Sequence, residues 1–169
     1  MSKFFKCILL CLSLAGLCAC QSASPSHEYM QAIDAYYDAL EENQFTTLQQ
    51  CMPAQVLDSL GLDAGELSNL VNHYSTHYGT DFAVTVTENG SARLDRAQLD
   101  DLSAYLAQQY GIEPDLQNAY LVEYTAEFDG SASANTLTQG VVVYQMRDDW
   151  YIDLQAGSTV DSIRRLYNQ

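Results

Sequence analysis

Apolar positions change their spacing several times along the chain, and each change marks an element. Over 28–42, Met30, Ile33, Tyr37 and Leu40 recur at intervals of three and four, one stripe of an amphipathic helix. Asn43-Gln44 interrupts it. A second helical stretch over 45–60 is punctuated by Pro53 and stopped by Gly61. A third opens on Asp63 with Glu66 three positions later, resembling a capping box, and carries Leu67, Leu70, Val71, Tyr74 and Tyr78 up to Gly79.

The period then falls to two. Phe82, Val84 and Val86 alternate with Ala83, Thr85 and Thr87, which predicts a half-buried strand closed by Asn89-Gly90. Helical spacing returns over 95–110, where Asp95 and Gln98 form the start, Leu99, Leu102, Leu106 and Tyr110 the stripe, and Gly111 the end. Beyond Pro114, Tyr120, Val122, Tyr124, Ala126 and Phe128 face one way and Glu123, Thr125 and Glu127 the other. A Val-rich strand over 138–146 reads as central, a tight Arg147-Asp148-Asp149 turn follows, then a strand over 150–154 and a short helix over 160–167. Strands joined by short turns, with helices clustered toward one end, predict an α+β fold: N-terminal helices packed on one face of a curved antiparallel sheet of about four strands.

The first twenty residues break this pattern. Lys3 and Lys6 precede an apolar run over 7–17 interrupted only by Ser13, the length of a signal-peptide core and short for a membrane span. Leu17-Cys18-Ala19-Cys20 resembles the lipobox of bacterial lipoproteins, with a Leu three residues before the modified cysteine. The other register would place bulky Leu17 at the cut, so Cys20 is the lipidation site that the resemblance implies. The organisation expected is a signal peptide over 1–19, a lipidated Cys and tether over 20–27, and one α+β domain over 28–169. The implied location is the cell membrane, lipid-anchored, on the extracytoplasmic side.

Processing sharpens the charge. Two of the seven basic residues are lost with the leader while all 22 acidic residues lie beyond Cys20, so the formal charge moves from −15 to −17. Such a body is repelled by nucleic acid, which is excluded as a partner. Cys7, Cys11 and Cys18 leave with the leader, so Cys51 stands alone and is expected as a small buried residue at a helix end.

A second resemblance comes from the Tyr-rich opening helices and the late stretch GVVVYQMRDDWYIDL, 140–154. Together they resemble the nuclear-transport-factor-two-like, or cystatin-like cone, superfamily, in which such a hairpin ends a curved sheet wrapped round a helix. Departures are the helix at 95–110 between the first two strands and the extra third helix. Enzymes of that superfamily place an Asp and a His inside the cavity as acid and base.

Three constellations carry chemistry. His73 and His77 lie four apart on one helical face and can share a Zn²⁺, with Asp81 as a third ligand past Gly79. Glu123, Glu127 and Asp153 are carboxylates of the strands, read as turned outward to solvent. Tyr36, Tyr37, Tyr120, Tyr124 and Tyr144 can line a cavity that holds a small amphipathic ligand through ring contact and hydroxyl bonds. With no ionisable side chain expected in the cavity, the reading is a non-catalytic module that binds a small molecule or an envelope protein, with no cofactor. The alternative is a cone-superfamily enzyme with a cavity Asp/His pair.

Overall fold

The computed structural model describes residues 27–153 and 155. The leader, the tether up to Ser26 and the expected helix at 160–167 lie outside the described residues, as do Leu17, Cys18, Ala19 and Cys20. The fold is α+β. Four helices come first, α1 (Met30–Glu42), α2 (Phe45–Cys51), α3 (Ala54–Leu60) and α4 (Ala64–Tyr78). Strand β1 (Ala83–Arg93) and helix α5 (Arg96–Tyr110) follow, then β2 (Leu116–Asp129), β3 (Ala134–Met146) and β4 (Asp149–Asp153). The strands form one antiparallel sheet in the order β1-β2-β3-β4, so β2 and β3 are central. No helix among the described residues is long and apolar enough to cross a membrane.

Local chemistry sets the boundaries. Met52 is extended (φ −139°) ahead of Pro53, which splits the second helical stretch into α2 and α3. The Asp63 carboxylate accepts the amides of Gly65 and Glu66 and caps α4. Asp95 and Gln98 form a full capping box on α5. One expectation fails at Asn89-Gly90. The pair does not end β1; a register shift between Glu88 and Gly90 absorbs it as a bulge, and the strand runs on to Arg93. Gly130 follows β2 because a Cβ there would run into the Tyr78 carbonyl.

Face one of the sheet carries Val122, Tyr124, Ala126 and Phe128, all buried, beneath α1, α2 and α4. The rings of Tyr74 and Tyr78 stack on Phe128 at 5.3 and 5.0 Å, and Ile33 and Leu40 of α1 are fully buried. Burial at this face supplies the main stabilisation, about 25 cal/mol per Å² of apolar surface removed from water. The expectation of helices on a single face holds for the N-terminal ones only. Helix α5 packs on face two, where the Tyr110 hydroxyl reaches Asp153. Val141 to Tyr144 are consequently all buried, on both faces of β3.

Candidate functional site

The β3–β4 turn is built by Arg147, which adopts the left-handed conformation (φ 59°) uncommon for a residue with a Cβ. That turn, the loop after α5 and the α2–α3 junction enclose a cleft of about 460 Å³. Ile112, Pro114, Pro53 and Met146 give it apolar wall. Gln49, Gln55, Glu113, Asp115, Arg147, Asp149 and Tyr151 give it polar groups. Burial and the neighbouring Asp149 push the Tyr151 hydroxyl above the usual phenol range, against the pull of Arg147. Among the described residues the salt bridges are His27–Glu88 and Arg96–Asp100, so Arg147 presents its guanidinium to the cleft without an ion pair. Amides, carboxylates, a phenol and one guanidinium over apolar wall can orient a small polar molecule; three of the seven polar groups are acids.

Next to this cleft lies a buried polar layer that strand alternation alone did not reveal. Asp153 is 1 % exposed, the one buried charged side chain among the described residues. Its Oδ1 accepts from the Tyr110 hydroxyl at 3.3 Å and from the Gln155 amide at 2.9 Å. The reading of Asp153 as a solvated outward carboxylate is therefore corrected: it points away from face one, but α5 covers that side. Burial first, then the hydroxyl of Tyr105 and the charge of Asp153, hold Tyr110 in its neutral form. Glu123 and Glu127, farther along the same face of β2, are exposed as expected.

The five tyrosines occupy three surroundings. Tyr36, Tyr37 and Tyr124 meet between α1 and the sheet, with Tyr36 edge-on to Tyr37 at 5.1 Å and Tyr37 edge-on to Tyr124 at 6.1 Å. The Tyr37 and Tyr124 hydroxyls are 3.2 Å apart, and Tyr124 donates onward to Gln139 at 3.1 Å. The Tyr37–Tyr124 pair is buried and the chain of bonds runs out to the exposed Gln139; burial pushes Tyr124 up to about 12. Tyr120 instead stacks on Tyr29 at 4.4 Å, with Trp150 beside both. Tyr144 is on face two beside Tyr151, and its hydroxyl has no hydrogen-bond partner among the described residues.

His73 and His77 are exposed on α4. The Asp81 carboxylate is taken by the backbone amide and hydroxyl of Ser131 at 3.1 and 2.7 Å, bonds that hold it below the usual carboxylate range. Among the described residues no three His, Cys, Asp or Glu side chains converge as a metal site, so the trio His73, His77 and Asp81 is not brought together. Cys51 is fully buried at the end of α2, its thiol bonded to the Leu48 carbonyl and pushed by burial up to about 12. His27 bonds Glu88 at 3.1 Å, and Tyr29 donates to the same carboxylate at 2.8 Å.

No family model, curated protein or solved structure matches the chain.

Proposed function

We propose that this is a membrane-anchored extracytoplasmic lipoprotein, held through Cys20, whose single domain is a non-catalytic module binding a small polar ligand. The cleft between the β3–β4 turn, the loop after α5 and the α2–α3 junction carries the reading. Its volume of about 460 Å³ falls within the roughly 300–1,000 Å³ typical of small-molecule sites, and it mixes apolar wall with a few polar groups. The leader motif supports the anchor. A cavity Asp/His pair has less support: Asp153 is bonded to Tyr110, His27 to Glu88, and His73 and His77 are exposed on α4.

Native mass spectrometry of the chain extracted from its own membranes tests both halves of the proposal. The expected polypeptide begins at Cys20 and carries acyl mass, together with a non-covalent adduct that disappears when the exposed cleft residue is changed in Gln55→Trp. A chain beginning elsewhere removes the anchor. An adduct that survives Gln55→Trp, or no adduct in either protein, removes the cleft.

A further inference from the structure

The three walls of the cleft differ in charge. The β3–β4 turn brings Arg147, with Asp149 beside the Tyr151 hydroxyl. The loop after α5 brings Glu113 and Asp115, both exposed and without a side-chain partner among the described residues. The α2–α3 junction adds the side-chain amides of Gln49 and Gln55, also exposed.

Strand register sets how close the opposite charges stand. Leu116 of β2 is the partner of Met146 of β3, so Asp115 and Arg147 leave the sheet from adjacent strands. Neighbouring strands lie about 4.8 Å apart, yet these two side chains form no ion pair. A carboxylate and a guanidinium that are adjacent but unpaired can both be satisfied by one molecule bearing both signs of charge. A simple cation would use Glu113 and Asp115 but meet like charge at Arg147, and a simple anion would meet the reverse. The acidic body draws cations from a distance, so Arg147 is the group that selects for a carboxylate.

We propose that the cleft takes a small zwitterion, a free amino acid or short peptide. Its carboxylate bonds Arg147, its ammonium meets Glu113 and Asp115, and its apolar side chain lies on Ile112, Pro114 and Met146. Gln49 and Gln55 each offer a donor and an acceptor to a peptide amide. This rests on the cleft being the ligand site and adds the chemical class of the ligand.

Calorimetric titration of the purified chain with Leu-Leu, its N-acetyl form and its C-terminal amide tests the class. Leu-Leu is expected to bind, and either cap to weaken binding about tenfold, as loss of a charged hydrogen bond does. Arg147→Gln should erase the difference between Leu-Leu and its amide while keeping the difference from the acetyl form. Combining Glu113→Gln with Asp115→Asn should do the opposite. Leucine beside Leu-Leu separates the two sources, the tighter binder marking which one the cleft fits. A capped peptide that binds the unaltered chain as tightly as Leu-Leu, or no binding by either leucine or Leu-Leu, would overturn the zwitterion. In both cases a native adduct still lost in Gln55→Trp leaves the cleft as a ligand site, whereas an adduct that survives that substitution removes both readings.

Discussion

The two halves of face two each hold a carboxylate, and those carboxylates end in different surroundings. Near the β3–β4 turn, Tyr144, Val142 and Asp153 are buried under α5. Toward the other end, Thr85, Thr87, Glu127, Thr136 and Thr138 are exposed. On β2 both halves alternate with the buried residues of face one, whereas on β3 the covered half is apolar on both faces. What separates Asp153 from Glu127 is the position of one helix. A carboxylate under α5 must be hydrogen-bonded to be tolerated, whereas one in the open half is solvated and contributes little.

Removing the cover should produce the largest effect. Leu106 is the fully buried residue of α5, and Leu106→Ala is expected to cost about 2–5 kcal/mol in urea unfolding. A cost below about 1 kcal/mol would mean that α5 is not a packed layer. Next comes alkaline pH. Burial raises the folded-state values of Tyr37, Tyr110, Tyr124 and Tyr144 above the ordinary value of 10.0. The folded protein therefore keeps its protons longer than the unfolded chain, and stability present below pH 10 should fall steadily as pH rises toward 12. Unfolding midpoints between pH 9 and 11.5 measure it. A flat profile would contradict the burial of these phenols.

A smaller contrast sets the two faces against each other. Tyr124→Phe strips partners from Tyr37 and Gln139 and should cost about 1 kcal/mol. Tyr144→Phe removes a hydroxyl that has no partner among the described residues and should be neutral or slightly stabilising. Thr87→Ala in the open half should change stability by no more than about 0.5 kcal/mol.

Much of this architecture is legible in the spacing of apolar residues. The stripes of α1, α4 and α5 and the alternation of β2 give the elements and the inward face directly, and of the two capping boxes expected the one on α5 forms in full while α4 keeps only the Asp63 cap. Asn89-Gly90 misleads because a turn dipeptide also fits a bulge, and only the partner strand decides between them. Asp153 misleads for a deeper reason. Period two assigns a residue to a side of the sheet but is silent on whether a helix arrives there, and Tyr110 reads simply as the last member of an apolar stripe. The cleft is built from turns and junctions, whose residues carry no periodic signal. Arg147 in its left-handed conformation shows the same limit, since nothing in Met146-Arg147-Asp148 announces a positive φ.

The most direct test compares two carboxylates on the same face. Asp153→Ala leaves the Tyr110 hydroxyl and the Gln155 amide without their acceptor inside a packed layer, and should lower unfolding stability by about 1–3 kcal/mol. Glu127→Ala in the open half should cost a few tenths of that. Equal costs for the two substitutions would contradict a sheet whose second face is half covered.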